Sequence, residues 1–314
     1  MSLLSDKKIL VTGGHGFLGS YVYEYLLECG VDPSRIFRPK SSECDLRLWE
    51  GCVEAVKNVD VVIHIAGKTG GIGYNRDNPG TLFYDNLIMN TQMMEASRRE
   101  NVEKFVGIGT VCSYPKETPV PFREENLWNG YPEETNAPYG LSKKMMAVQS
   151  KAYHDQFGFN SVHLLMVNLY GPRDDFDPAR SHVVAALVKK FADAVEQDLP
   201  SIEIWGTGSA SREFLYVKDA ARGIVMAAEA LNNPEPVNLG AGMEITIREL
   251  VEKLTTISGF SGDIVWDTTK PDGQPRRSLD TSRAEEWFGF KADTGFDDGL
   301  EMTYRWYVGN ISAQ

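Results

Sequence analysis

The sequence predicts a doubly wound α/β fold: a parallel sheet covered by helices on both faces, with a smaller α/β lobe interleaved with it. Three observations carry this expectation. Over residues 1–170, short runs that are apolar on both faces alternate with longer amphipathic segments. Three glycines, Gly13, Gly16 and Gly19, separate the first apolar run from the helix-like segment after it. Beyond Gly171-Pro172 the alternation loosens into helices and short strands without a regular order.

In chain order, "KKILVTGG", "VDVVIHIAG", "KFVGIGT" and "SVHLLMVNLYGP" read as buried parallel strands, because apolar residues fill both faces instead of alternating with polar ones. "LGSYVYEYLLECG" and "YDNLIMNTQMMEASRREN" read as helices between them. A loop, "RDDFDPARSH", leads to a helix, "VVAALVKKFADAVEQ", and a short strand, "IEIWGTG". "SREFLYVKDAARGIVMAAEA" and "EPVNLGAG" read as a helix and strand returning to the sheet. The segment from "EITIRELVEKLTTISGF" to "FDDGLEMTYRWYVGN" mixes helix and loop. The expected division is a sheet domain over 1–170, rejoined by 212–240, and a smaller lobe over 171–211 and 241–314.

Composition narrows the function. An apolar fraction of 42% with 24% charged residues is that of a globular chain long enough for one large domain or two sharing a core. No apolar run approaches the ~18–20 residues that cross a bilayer. The first residues meet charge at Asp6 and run into a strand, unlike a signal peptide. A cytoplasmic protein without a membrane partner is expected. A net charge of −12 argues against a nucleic-acid surface, but leaves room for a small anionic ligand held by a few converging cations. Cys29, Cys44, Cys52 and Cys112 show neither C-x-x-C nor a zinc-like Cys/His spacing, so free thiols and no metal are expected.

In "VTGGHGFLGS" the glycines permit a tight turn and close backbone approach, while the helix start offers N–H groups to a pyrophosphate. The position of this turn at the first strand–helix junction points to a dinucleotide. An NAD site usually carries an acidic residue after the second strand. Here Arg38 and Lys40 stand in "SRIFRPKSSECDL", cations that suit a 2′-phosphate, so NADP(H) is favoured.

Tyr139 and Lys143 in "APYGLSKKMMAVQSKAYHDQF" are spaced i, i+4 and share a helix face, with an apolar stripe of Leu141, Met145, Val148 and Ala152 on another side. An ammonium beside a phenol favours phenolate, so the pair predicts a lowered pKa for Tyr139 and a group able to donate or accept a proton. Upstream, "GTVCSYP" ends a strand with Thr110 and Cys112. If that segment is extended, the two side chains share a face. With disulfide and metal roles set aside, Cys112 is either a small buried hydrophobe or an acid–base group.

These stretches, with "GKTGGIGYN", "ETNAPYGLSK", "VNLYGPRDDFDPARSHV", "WGTGSASREFLYVKDAA" and "VWDTTKPDGQPRR", resemble the extended short-chain dehydrogenase/reductase superfamily, and within it the GDP-L-fucose synthases, over nearly the whole chain. The resemblance implies a Rossmann-type fold and an NADPH-dependent epimerase–reductase acting on GDP-4-keto-6-deoxy-D-mannose. It implies that Phe17, Leu18, Ala66 and Gly67 join Gly13, Gly16 and Gly19 at the cofactor. It assigns Cys112 and His182 to proton exchange at C3 and C5, Tyr139 to protonation of the C4 oxygen, and Thr110 to a hydrogen bond on that oxygen. Related dehydratases carry Asp-Glu where this chain has Val111-Cys112, so dehydration is disfavoured.

For the GDP moiety the resemblance implies Asn168 and Arg212 on the diphosphate, Lys190 nearby, Trp205 against the nucleoside and Arg277 at the rim. Lys190 stands where fucose synthases carry arginine, and Thr110-Val111-Cys112 replaces their Ser-Ser-Cys. A GDP-linked heptose or dideoxyhexose is therefore an alternative substrate. A plain 4-epimerase holding NAD tightly and a non-catalytic NADP-binding protein are further alternatives. The superfamily pairs through its two long helices, which implies a homodimer.

Overall fold

The structure is a computed structural model describing residues 3–270 and 272–311. The ends of the expected division (1–2 and 312–314) and Pro271 of "VWDTTKPDGQPRR" lie outside the described residues. The strands are β1 (Ile9–Thr12), β2 (Ile36–Phe37), β3 (Val61–His64), β4 (Lys104–Thr110), β5 (Ser161–Met166), β6 (Asn168–Tyr170), β7 (Ser201–Trp205), β8 (Ser211–Arg212), β9 (Phe214–Tyr216), β10 (Pro236–Leu239), β11 (Ile245–Thr246), β12 (Asp263–Asp267) and β13 (Arg276–Arg277). The helices are α1 (Phe17–Glu28), α2 (Trp49–Ala55), α3 (Ile72–Asp77), α4 (Pro79–Arg99), α5 (Ala137–Phe157), α6 (Val183–Glu196), α7 (Val217–Ala230), α8 (Ile247–Ser258), α9 (Ser282–Phe288) and α10 (Phe296–Ile311).

Among the described residues the main sheet has six strands in the order β10-β5-β4-β3-β1-β2, every neighbour parallel. β1, β3 and β5 are buried along their whole length, as their continuous apolar character predicts. Register sets Thr12 beside His64, His64 beside Gly107 and Gly107 beside His163. The carboxyl ends of the strands are thus level and open together. This is the doubly wound α/β class that the sequence predicts.

A second core gathers the apolar stripe of α6 (Val184, Leu187, Val188, Phe191) against Leu250, Val251 and Leu254 of α8 and Leu300 and Tyr304 of α10. α8 is fixed at its start by a capping box, Thr246 with Glu249, and ends at Gly259 with φ +70°. Small sheets, β12-β7 and β11-β8-β13, frame this lobe. The β11-β8-β13 sheet brings residues 211–212 and 276–277 side by side.

α4 and α5 pack along each other. The buried face of α5 is Ala137, Gly140, Ser142, Lys143, Lys144, Met146, Ala147 and Ser150. Its apolar stripe points outward instead: Met145 is 37% and Val148 45% exposed. On α4, Phe83 and Tyr84 are also exposed.

Candidate active site

The carboxyl ends of β1, β3, β4 and β5 open into one cleft of about 1100 Å³, where the strand order reverses between β1 and β3. One wall is the turn from β1 to α1. Gly13 has φ +69°, and a Cβ there would lie 3.0 Å from the Ala66 nitrogen. A Cβ on Gly19 would lie 2.7 Å from the Gly14 Cα. Both positions therefore require glycine. α1 starts from Gly16 without a side-chain cap, so its first N–H donors and positive end are free at the cleft wall formed by Gly16, Phe17, Leu18 and Gly19. Ala66 and Gly67 continue that wall, and a Cβ on Gly67 would reach within 3.3 Å of Lys143 Nζ. The bare helix start and side-chain-free cradle fit a dinucleotide pyrophosphate.

Arg38 and Lys40 flank this turn without lining the cleft. The Arg38 guanidinium lies 3.4 Å over the Tyr23 ring and donates to the Gly14 carbonyl at 3.2 Å. Lys40 is exposed. His15 meets the Arg38 carbonyl at 2.8 Å.

β4 ends at Thr110, and the chain then tightens into a 3₁₀ turn, Val111–Ser113. Thr110 Oγ1 accepts the Cys112 N–H at 3.2 Å. The segment is thus not extended, and shared strand-face geometry is not what relates the two side chains. Both line the cleft nonetheless. α5 holds the turn in place. Ser113 Oγ donates to the Gly140 carbonyl at 2.9 Å, and a Cβ on Gly140 would lie 2.8 Å from the Cys112 carbonyl carbon. The helix can approach this closely only because residue 140 has no side chain.

Tyr139, the neighbour of that glycine, enters the cleft near Thr69 and Thr110. Burial pushes its phenol well above the ordinary range and the adjacent Cys112 adds to this, while hydrogen bonding with Thr69 and Thr110 pulls weakly the other way. This corrects the expectation that Lys143 lowers it. Taking a phenolate out of water costs more than the Thr69 and Thr110 hydroxyls return. Lys143 is itself pulled down to about 8 by burial. At neutral pH, then, Tyr139 keeps its proton and Lys143 its charge.

His182 is the N-cap residue of α6 and lines the same cleft. Burial lowers its pKa, with the Asp175 carboxylate acting more weakly in the opposite direction, so the imidazole is neutral and able to accept a proton. Asn168 Nδ2 donates to the Glu213 carbonyl at 3.4 Å. Lys190 is exposed, its ammonium on the Glu203 carbonyl at 2.7 Å. Trp205 is 60% exposed at the end of β7 with Lys270 5.5 Å from its ring.

Arg212 and Arg277 are register partners on β8 and β13. Arg212 donates to the carbonyls of Ser211 (2.7 Å) and Asp272 (3.3 Å), and burial, reinforced by Arg277, pulls it down to about 10. Arg277 donates to Gln274 Oε1 and, at 3.5 Å, to Cys112 Sγ. Asn168, Lys190, Trp205, Arg212 and Arg277 all line the cleft. Paired guanidiniums are suited to phosphate oxygens.

Sequence reasoning passed over Thr69, Asp174 and Gln274, which also line the cleft. Burial pushes the Asp174 carboxyl up to about 7. Thr69 and Asp174 sit inside "GKTGGIGYN" and "RDDFDPARSH", but a loop hydroxyl or carboxylate carries no spacing signal of its own. Among the described residues no group of His, Cys, Asp and Glu is placed to hold a metal ion, and all four cysteines are free thiols.

Residues 9–240 match the NAD dependent epimerase/dehydratase family. The chain is 37% identical to the GDP-L-fucose synthase of Sinorhizobium fredii (strain NBRC 101917 / NGR234), covering 99% of each sequence. Among solved structures it is similar to a GDP-6-OMe-4-keto-L-xylo-heptose reductase from Campylobacter jejuni, with a TM-score of 0.91, 26% identity and coverage of 99% and 100%. It is also similar to a GDP-mannoheptose C4 reductase from the same organism with NADP bound, with a TM-score of 0.86, 27% identity and coverage of 96% and 98%.

Proposed function

Since the chain belongs to the NAD dependent epimerase/dehydratase family, an enzyme family of NAD(P)-dependent epimerases and reductases, we propose that it is an NADPH-dependent epimerase–reductase converting GDP-4-keto-6-deoxy-D-mannose to GDP-L-fucose. The observation that carries this reading is the contact between α5 and the Val111–Ser113 turn, which puts a thiol beside the Tyr139 phenol in a cleft that His182 also lines.

A ketone at C4 acidifies the C–H bonds at C3 and C5. At each carbon the C–H bond breaks toward one group, its electron pair enters the enolate, and a proton returns to the other face from a second group. Cys112 and His182 are that pair, a thiol and a neutral imidazole whose ordinary pKa values bracket neutrality. Gly13, Gly16, Phe17, Leu18, Gly19, Ala66 and Gly67 would hold a nicotinamide cofactor, which would supply the hydride for reduction at C4. Tyr139, which holds its proton at neutral pH, gives it to the C4 oxygen, and Thr110 donates a hydrogen bond to the same oxygen. The Lys143 ammonium steadies the phenolate left behind and holds the cofactor at the Gly67 wall. Arg212 and Asn168 grip the diphosphate with Lys190 nearby, Arg277 stands at the rim, and Trp205 packs on the nucleoside. Arg38 and Lys40, flanking the glycine turn, suit the 2′-phosphate of NADP.

A C4 reductase of a GDP-heptose is the second reading. It is favoured by the 0.91 TM-score to the Campylobacter heptose reductase and by Lys190 where fucose synthases carry arginine. The outward apolar stripe of α5, with Phe83 and Tyr84 of α4, supports a homodimer through these helices. The test of function is incubation with GDP-4-keto-6-deoxy-D-mannose and NADPH, with the product read by NMR. GDP-L-fucose supports the main reading. A reduced product with unaltered C3 and C5 supports the second.

A further inference from the structure

Arg277 holds more than the rim of the cleft. Its Nη1 donates to Cys112 Sγ at 3.5 Å, a normal approach for a sulfur acceptor. The rest of the guanidinium is locked, Nε and Nη2 both donating to Gln274 Oε1 at 3.2 and 3.0 Å. Gln274 in turn donates to the Lys116 carbonyl at 3.0 Å, on the loop that follows the cysteine turn. The backbone is pinned as well, with Glu213 N–H donating to the Arg277 carbonyl at 3.0 Å and Ser211 N–H to that of Pro275 at 2.9 Å. No carboxylate pairs with Arg277 among the described residues, which leaves Sγ as its partner able to carry negative charge.

We infer that Arg277 is a positioning residue for Cys112, its guanidinium aiming the sulfur and stabilising the thiolate left when Cys112 gives its proton to the sugar carbon. This rests on the epimerase reading for its chemistry. In the step itself the C–H bond breaks as His182 takes the proton, the carbon electron pair enters the enolate, and the Cys112 S–H bond breaks as its proton passes to the other face of that carbon, leaving a thiolate beside the guanidinium. The thiolate is the reactive form of cysteine, and a guanidinium stays charged throughout the working pH range. The titratable and charged groups that meet the sulfur are Tyr139 from α5 and Arg212 and Arg277 from the paired strands. Of these only Arg277 donates to it directly.

Alkylation of the substrate-free protein by iodoacetamide at neutral pH reads this pairing without reference to turnover. Peptide mass spectrometry separates Cys112 from Cys29, Cys44 and Cys52, which serve as internal references. Arg277→Gln is expected to slow Cys112 modification about fivefold, with the reference cysteines unchanged and Arg277→Lys restoring most of the rate. Gln274→Ala, which frees the guanidinium but leaves its charge, is expected to slow it by about twofold. That variant keeps the test open should Arg277→Gln fail to fold. Unchanged alkylation in Arg277→Gln or, failing that protein, in Gln274→Ala overturns the inference. So does a pattern in which Arg277→Gln raises only the KM for substrate, the signature of a diphosphate ligand. Should Cys112→Ser keep full exchange at C3 and C5, the epimerase reading falls while the alkylation result still stands.

Discussion

Gly140→Ala tests whether the approach of α5 to the cysteine turn sets the catalytic geometry. The added methyl would lie 2.8 Å from the Cys112 carbonyl carbon and nearer still to its oxygen. Carbon atoms in contact rest about 3.5–4.0 Å apart, so about 1 Å must be opened between helix and turn. Both partners are backbone, one in α5 and one tied to it by the Ser113–Gly140 hydrogen bond, so no flexible side chain can yield. Overpacking of this kind costs about 1–3 kcal/mol of stability. The larger effect is on chemistry: Tyr139 moves with the helix and Cys112 with the turn, and a displacement of about 1 Å between reacting groups can cost about 100-fold in rate. The assay is NADPH oxidation with the 4-keto sugar, alongside a thermal melt followed by circular dichroism. Loss of turnover far beyond what the small drop in melting temperature explains is the expected result. A variant with native turnover and native melting would refute the claim that this contact sets the site.

Tyr139→Phe removes the proton donor at C4 and should lower reduction by about 10²–10⁴-fold, with C–H exchange retained; a variant keeping most of its reductive turnover would exclude that role. The Lys143 ammonium is charged below its pKa of about 8 and neutral above it, so reduction should stay level at lower pH and decline as pH rises through about 8. A rate profile that stays level well into the alkaline range would remove Lys143 as the steadying charge. Arg212→Ala takes away a buried guanidinium whose hydrogen bonds go to the Ser211 and Asp272 carbonyls, with the Asp272 and Glu244 carboxylates acting on it only weakly. It should raise the KM for the GDP sugar more than tenfold while lowering kcat little, since charge-assisted hydrogen bonds contribute about 1.5–3 kcal/mol each; an unchanged KM would place the diphosphate elsewhere.

The sheet was legible because its strands are apolar on both faces, and the glycine turn because Gly13 and Gly19 have no room for a side chain. The Tyr139–Lys143 spacing placed both on one helix. α5 also shows where pattern reading fails. Its apolar positions, Met145 and Val148, face outward, while Ser142, Lys143, Lys144 and Ser150 are buried, so hydrophobic periodicity points away from the core. A helix whose inner face serves a site and whose apolar positions are exposed inverts the usual rule. The turn after Thr110 was missed because its shape depends on Gly140, which is remote in sequence. The Tyr139 shift was misjudged because burial is a property of the fold, not of the spacing. Arg277 reached Cys112 through the pairing of β13 with β8, a long-range register that nothing local encodes.

Deuterium incorporation from heavy water into C3 and C5 of the 4-keto sugar, measured by NMR for the native protein and for Cys112→Ser, bears most directly on the paired roles of thiol and imidazole. Label at both carbons with the native protein and none with the variant is the result predicted, the variant still oxidising NADPH. Full labelling by Cys112→Ser, or an unlabelled reduced product from the native protein, would contradict the account.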